Sequence, residues 1–382
     1  MQDFTSPQNE ETVGLKTEEL TINMGPQHPS THGVLRVVIH SDGEIIRAAY
    51  PDIGYLHRCF EKHAESREYV QVVPFTDRMD YVAAMSQELG YALAVEKLLG
   101  FEAPERAQAI RVIVCELQRI ASHLLAIGTY GLDMGGFAPF IYAFRDREHV
   151  LRLFEEICGA RLLYNYIRPG GVIRDLSPGV IDKIKDFTKY FKPQLDEVDD
   201  LLTMNSIFVS RTAEIGTVSA AQAISYGFSG PNLRASGVSY DMRRDEPYSG
   251  YNKYEFDVCV GLGERGVVGD CWNRYYVRIK EMYQSLKIIS QAIESLPEGE
   301  SMGKIAKSPK PVGEIYLETE CPRGALGYHI VADGSKKPWR VKVKSPCFIS
   351  VSSMDEMCRG MMIADVVAYL GSIDIVLGEV DR

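Results

Sequence analysis

Apolar and polar positions alternate in three short segments near the start of the chain. The segments EELTINMG, GVLRVVIH and EIIRAAYP have the period of two that is typical of strands, and an Asp-Gly turn at residues 41–44 joins the last two. The stretch MGPQHPSTHG (residues 24–33) follows the first strand, and its prolines and glycines interrupt any helix. The pattern therefore predicts a small sheet and a loop that carries two histidines.

Helical periodicity dominates the rest of the chain, and most helical segments are apolar on more than one side, as helices inside a bundle are. Predicted helices cover residues 57–73, 76–100, 104–133, 139–166, 177–204, 270–296 and 354–370. Residues 227–265 are rich in glycine and proline and predict loops and short strands. Strands return at 313–320, 326–333 and 339–345. We expect an α+β fold, mainly a helical bundle with small antiparallel sheets.

The polar and acidic start of the chain predicts a flexible arm over residues 1–16, and it has the pattern of neither a signal peptide nor a transit peptide. We expect one domain over residues 17–382. Within it we expect a β-sheet region at 17–55, a helical core at 56–225, and a mixed α/β region with the C-terminal tail at 226–382.

Composition narrows the classes of partner. The chain has 382 residues, 45% of them hydrophobic, which is enough for a large core. Its net charge of −10 and its scattered basic residues argue against nucleic acid or an anionic membrane surface as the main partner. No run of about 18 apolar residues predicts a membrane span, so we expect a cytoplasmic chain, although it could still lie on a membrane complex.

The cysteines do not predict a metal centre. There are eight, and no two form the Cys-x-x-Cys pair that zinc and iron–sulfur sites usually need. We therefore expect reduced, mostly buried thiols and no metal or cofactor held by this chain. Residues 261–266 match G-x-G-x-x-G, but the predicted helix that follows leads to Pro297 without a second parallel strand. A loop is therefore favoured over a dinucleotide site.

Four side chains call for separate hypotheses. His28 and His32 have the spacing of a metal pair, but a third ligand is missing; hydrogen bonding, proton transfer or simple solvation are the alternatives. Tyr81 lies in the first turns of a predicted helix, where packing is the usual role. Asp133 lies among apolar residues and glycines, which favours a functional acid, and capping of the preceding or following helix is the alternative.

Many longer motifs, taken in order, point to one family. They are MGPQHPSTHGVLR, GYLHRCFEK, DRMDYVAAM, YALAVEKLLG, ELQRIASHLL, APFIYAFRDRE, RPGGV, YGFSGPNLRASG, GDCWNRY and ADVVAYLGSIDIVLGEVDR. Over roughly residues 20–382 the chain resembles the 49-kilodalton-type subunit of respiratory complex I, the NADH:quinone oxidoreductase. That family is related to the large subunits of nickel–iron hydrogenases, so the resemblance implies a fold like theirs.

The hydrogenase comparison also implies that this chain lacks the metal-binding cysteines of hydrogenases. Hydrogenases hold their metal with two Cys-x-x-Cys pairs, and the matching positions here are Asp80, Ala83, Val376 and Glu379. Without thiolates a soft-metal site cannot form. A membrane-bound hydrogenase-type large subunit is therefore the weaker alternative, and nickel analysis would separate the two. A scaffold without chemistry is a third alternative, against which the retention of His32, Tyr81 and Asp133 argues.

The resemblance implies a role for each candidate residue. The loop residues His28, Ser30, Thr31 and Gly33 would line a quinone chamber. His32 and Tyr81 would bind the two headgroup oxygens, and Asp133 would be the partner of His32. Donors aimed at these oxygens would stabilise the negative charge of reduction, which the family couples to proton translocation.

The resemblance also implies partners. Arg58 would lie near a terminal 4Fe–4S cluster held by an iron–sulfur subunit, and quinone would be the substrate. Other peripheral-arm subunits and a membrane-arm subunit at the quinone entrance would complete the assembly, on the cytoplasmic side of the inner membrane. Two residues depart from the family pattern. Cys59 replaces a usual glycine, which we expect to be tolerated, and Ile173 replaces a histidine that many members carry near the cluster.

Overall fold

The computed structural model describes residues 19–382. The predicted N-terminal arm at residues 1–16 lies outside them. The first sheet is antiparallel with strand order β1-β2-β3. Its strands are β1 (Glu19–Met24), β2 (Arg36–Asp42) and β3 (Ile45–Asp52). Met24 pairs with Val37, so the loop between β1 and β2 leaves from one end of the sheet. This is the predicted histidine loop.

Helices form the centre of the molecule. The helices of the described residues are α1 (Phe60–Ser66), α2 (Tyr69–Thr76), α3 (Ala84–Leu99), α4 (Glu105–Asp133), α5 (Phe137–Cys158), α6 (Pro178–Leu202), α7 (Ser206–Thr212), α8 (Ala220–Tyr226), α9 (Gly230–Ala235), α10 (Met242–Asp245), α11 (Cys271–Glu294), α12 (Pro346–Ser352), α13 (Met354–Met357), α14 (Ile363–Ile373) and α15 (Leu377–Asp381). Helix α4 packs against α3, α5, α11 and α14, and α6 closes the bundle against α5 and α11. Most side chains of α4 are buried, because it has neighbours on several sides.

Two further sheets flank the bundle. Strands β4 (Ile167–Arg168) and β5 (Gly171–Val172) form a short hairpin. Strands β6 (Val312–Cys321), β7 (Gly324–Asp333) and β8 (Arg340–Lys344) form an antiparallel sheet in that order. Helix α3 packs on β6 and β7, and α1 packs on β8. This sheet and the helices on it enclose a second apolar cluster beside the main core. The predicted α+β class, with a helical bundle and small antiparallel sheets, is confirmed.

Several predicted helix bounds are confirmed closely, and others are wrong. Helix α4 starts just after Pro104 and ends at Asp133, as predicted. The segment predicted as one helix at 57–73 is two helices, α1 and α2. The predicted helix at 354–370 is also divided, into α13 and α14, with Gly360 at positive φ between them. Helix α5 ends at Cys158 rather than near residue 166, because Gly159 adopts a left-handed cap conformation.

The helix predicted at residues 76–100 begins later in the structure than predicted, and this difference changes the position of Tyr81. Helix α3 begins only at Ala84, and residues 77–83 form a series of turns. The Asp80 carboxylate accepts hydrogen bonds from the backbone N–H groups of Val82 and Ala83, and this local bonding competes with a helix. Tyr81 therefore lies in a turn before the helix, not in its first turns.

Residues 261–266, the G-x-G-x-x-G match, form a loop that no strand precedes, as favoured from the sequence. Residues 227–265 contain loops and short helices, and no strand is found in this described segment. None of the helices between residues 19 and 382 combines the length and the apolar character that crossing a membrane requires.

Candidate functional site

The histidine loop is built around one short 3-10 turn, Pro29–Thr31. His28 caps this turn, because its Nδ1 accepts a hydrogen bond from the Ser30 N–H at 3.2 Å. The buried Thr31 hydroxyl donates to the His28 carbonyl at 2.8 Å. His32 ends the turn with φ of 52°, in the left-handed region. His28, Ser30 and Thr31 thus shape the loop that presents His32.

His32 contacts Asp133. The His32 Nε2 lies 2.6 Å from the Asp133 Oδ2, and the two side chains are 13% and 9% exposed. Asp133 is the last residue of α4. Gly371 lets α14 approach the end of α4, since a Cβ at this position would lie 2.4 Å from the Tyr130 ring. Gly33 faces Leu377 in the C-terminal tail, so the loop is packed against both α14 and the tail.

A buried ion network lies beside the turn at residues 77–83. The Arg323 Nη1 lies 2.7 Å from Asp80 Oδ2, and its Nη2 lies 3.2 Å from Asp374 Oδ1. Burial would raise the pKa of Asp374, but Arg323 and Arg278 outweigh it and hold that pKa below its usual value. Burial raises the pKa of Asp80, and the charge of Arg323 offsets only part of this rise. Arg323 therefore compensates two buried acids from different parts of the chain.

Tyr81 is half-buried next to this network. Its hydroxyl makes no hydrogen bond within residues 19–382, so it is available as a donor. Burial raises the pKa of Tyr81, with Arg323 and Arg58 opposing the rise. The phenol is therefore protonated at neutral pH.

The same network connects Tyr81 to the histidine loop. The His32 imidazole is close enough to Asp374 to contribute to its lowered pKa, and Asp374 is bound to Arg323. Sequence reasoning missed both Arg323 and Asp374. Asp374 had a signal, because it is a lone acid in the apolar stretch SIDIVL. Arg323 had none, since an arginine in the two-residue turn between β6 and β7 is ordinarily exposed.

Segments 80–83 and 376–379, the expected counterparts of the hydrogenase cysteine pairs, lie against each other. A Cβ at Gly378 would lie 2.5 Å from the Met79 carbonyl oxygen. Burial and the charge of Asp80 raise the pKa of Glu379, whose carboxyl group accepts hydrogen bonds from Gln87 Nε2 at 2.7 Å and Ser345 Oγ at 3.1 Å. Hydrogen-bonded carboxylates therefore lie where these two segments meet. Between residues 19 and 382, no three His, Cys, Asp or Glu side chains are grouped as a metal ion would require.

Arg58 is exposed and held by the backbone. Its guanidinium donates to the Arg78 carbonyl, and its backbone N–H donates to the Arg382 carbonyl at 3.2 Å.

Cys59, the next residue, has φ of 55°, which explains why glycine suits this position. Ile173 follows β5 and is 46% exposed. Arg58 and Ile173 thus reach the surface, while His32, Asp133 and Tyr81 lie deeper.

Comparison with known proteins gives one consistent family. Residues 133–310 and 303–382 match the family described as the respiratory-chain NADH dehydrogenase 49 Kd subunit. The chain is 53% identical over 373 residues to an NADH-quinone oxidoreductase subunit of Chlorobium chlorochromatii, a match that covers 96% of this chain and 93% of the relative. The corresponding protein of Chlorobaculum tepidum matches with the same identity and coverage. That of Chlorobium luteolum is 52% identical, over 96% of this chain and 94% of the relative.

The resemblance inferred from the motifs is therefore confirmed. The expected oxidoreductase complex agrees with the names of these relatives. The chain belongs to the family of the 49-kilodalton subunit of respiratory-chain NADH dehydrogenase.

Proposed function

We propose that this chain forms the quinone headgroup site of a proton-translocating NADH:quinone oxidoreductase. It would lie peripherally on the cytoplasmic side of the inner membrane, between an iron–sulfur subunit, other peripheral-arm subunits and a membrane-arm subunit at the quinone entrance. The observation that carries the proposal is the contact between His32 and Asp133, 2.6 Å long and mostly shielded from water.

The chemistry of this pair suits quinone reduction. Two-electron reduction places negative charge on both quinone oxygens, and aimed donors stabilise it. Asp133 holds the imidazole of His32 in position, and an imidazole N–H donates to one oxygen. The free hydroxyl of Tyr81 donates to the other. Both groups are also able to transfer a proton to the reduced quinone.

The electron donor belongs to a partner in this proposal. The sequence has no Cys-x-x-Cys motif, so we place a 4Fe–4S cluster, which supplies electrons one at a time, in the neighbouring iron–sulfur subunit. The exposed guanidinium of Arg58 is held by the Arg78 carbonyl and presents a fixed charge at the surface. Such a charge fits a position beside the partner's cluster, where it would favour the reduced form.

The substitution Tyr81→Phe tests the site, because it removes the hydroxyl and almost no volume. One lost hydrogen bond is worth about 1.5 kcal/mol, so quinone reduction by the assembled complex should fall by about tenfold or more. Electron transfer from NADH to a hydrophilic acceptor that bypasses quinone should stay unchanged. Tyr50→Phe, the same change at an exposed tyrosine of β3, is the matched control. Normal quinone turnover in assembled Tyr81→Phe complex would contradict the proposal.

A further inference from the structure

Two buried carboxyl groups, those of Asp77 and Glu88, face each other beside the proposed site. Asp77 follows the last residue of α2, and Glu88 lies near the start of α3. Both residues are fully buried. The side chains are within hydrogen-bonding range of each other. Yet Asp77 Oδ1 and Glu88 Oε1 have no hydrogen-bond partner in the described part of the chain.

The other oxygen of each carboxyl binds one backbone segment. Asp77 Oδ2 accepts from the Asn165 N–H at 2.9 Å. Glu88 Oε2 accepts from the Tyr166 N–H at 2.9 Å and from the Ile167 N–H at 2.5 Å. These three donors are the first three residues of the β4–β5 hairpin, here defined as residues 165–173. The acid pair therefore joins the hairpin to the segment that leads from Asp77 into the Tyr81 turn.

We propose that Asp77 and Glu88 share one proton between Oδ1 and Oε1, and that this proton holds the hairpin against the turn that carries Tyr81. Two ionised carboxylates at contact inside a protein repel each other, and an unpaired buried charge is strongly unfavourable. One proton removes one charge and supplies the donor that the two unpartnered oxygens lack. Asp77 and Glu88 would thus be positioning residues, and only their effect on Tyr81 rests on the proposed function.

No neighbouring group in the described part of the chain fully replaces the hydrogen bond that this proton would make. Two cations act on Asp77, namely Arg78 and Arg168, and neither donates a hydrogen bond to the pair within residues 19–382. Within residues 19–382, thiols and phenols on α4, α5, β7, the hairpin and the residue before it also lie near the pair. They are Cys115, Cys158, Tyr164, Tyr166 and Tyr328.

The pair should make local stability depend on pH. Burial raises the pKa of Asp77 to about 6, and it raises the pKa of Glu88 well above its usual value. Unfolded Asp and Glu titrate near 4, so the folded pair binds protons more tightly than the unfolded chain. The stabilisation is complete below about pH 4. It falls as pH rises through about 6, and it falls further as Glu88 ionises.

Hydrogen–deuterium exchange of the assembled complex tests this directly, with protection factors corrected for the intrinsic pH dependence of exchange. In the unmodified protein, protection of the amides at 165–167 should fall as pH rises from about 5 to 9, by at most about tenfold per pH unit for one proton. Glu88→Gln keeps an acceptor for the two amides and gives Asp77 a permanent donor. In the Glu88→Gln variant, protection of the amides at 165–167 should not change with pH. At pH 9 it should be higher than in the unmodified protein.

The control is Asp175→Asn, which neutralises a partly exposed carboxylate just beyond the hairpin. It should keep the slope of the unmodified protein. A slope in Glu88→Gln equal to that of the unmodified protein would overturn the proposal, as would lower protection at every pH. If Glu88→Gln does not assemble, Asp77→Asn takes its place, with the same outcomes. An unmodified protein without a slope overturns the proposal by itself. No quinone is used, so a failure here is distinct from a failure of the Tyr81→Phe test.

Discussion

The imidazole of His32 and the carboxylate of Asp133 lie 2.6 Å apart, although 101 residues separate them in the chain. His32 ends the short 3-10 turn in the loop between β1 and β2, and Asp133 ends the 29-residue helix α4. Each lies at the boundary of an element, where a side chain can leave the packing of its own element. Their contact fixes the histidine loop against the helical core.

The substitution Asp133→Asn keeps the shape of this contact and removes its charge. A hydrogen bond to a charged group is worth about 1.5–3 kcal/mol, so quinone reduction by the assembled complex should fall by roughly 10- to 100-fold. Asp182→Asn, at an exposed carboxylate of α6, is the control and should have no effect. Unchanged quinone turnover in Asp133→Asn would remove His32 and Asp133 from the proposed mechanism.

Arg323→Gln should destabilise the chain strongly. It leaves Asp80 and Asp374 buried without the cation that both contact, and breaking such a network costs about 3–5 kcal/mol. The loss should be smaller at low pH, because protonated carboxyls need no cation. Urea denaturation of the full-length chain at several pH values measures both effects. Arg152→Gln, which breaks an exposed pair, should cost less than about 1 kcal/mol. Equal losses for the two variants would contradict this account.

Cys59 should accept glycine and reject β-branched residues. Its φ of 55° is a conformation that costs an L-residue about 1–2 kcal/mol. Cys59→Gly removes this cost but adds entropy to the unfolded chain, so stability should change little. Cys59→Val should be clearly less stable than Cys59→Ala, since a branched side chain suits positive φ least. Thermal unfolding of the three variants checks the order, and equal stability of the valine and alanine variants would refute it.

The Ile173→His substitution should make the partner's cluster more sensitive to pH. Ile173 is 46% exposed, so a histidine here would be solvated and would titrate near its usual pKa of about 6.5. A histidine near a cluster binds its proton more tightly when the cluster is reduced. The midpoint potential then falls with rising pH, by at most about 59 mV per pH unit.

Redox titration of the cluster's EPR signal at several pH values measures this slope in both proteins. The unmodified protein should have the weaker slope. A steep slope in the unmodified protein would mean that another group carries the proton. Asp77 and Glu88 would then be the first groups to test, because Glu88 binds the amides that lead to Ile173.

Local patterns in the sequence predicted most of the elements. Helix α4 was predicted almost to the residue, because Pro104 sets its start and a helical period runs unbroken to Asp133. The strands of both three-stranded sheets were predicted from alternation. The start of α3 was missed, since the turns before it depend on Asp80, and Asp80 is paired with an arginine 243 residues away. No local period contains that information.

The sequence by itself determined the α+β class, the principal helices and strands, and the family, because periodicity, helix caps and ordered motifs are local properties of a chain. It also named His32, Tyr81 and Asp133 as candidates. Only the tertiary structure decided which of these side chains meet, and it revealed Arg323, Asp374 and the pair of Asp77 with Glu88. The reason is physical. The charge state and the partners of a buried group depend on which distant segments exclude water from it, and burial acts only once the chain has folded.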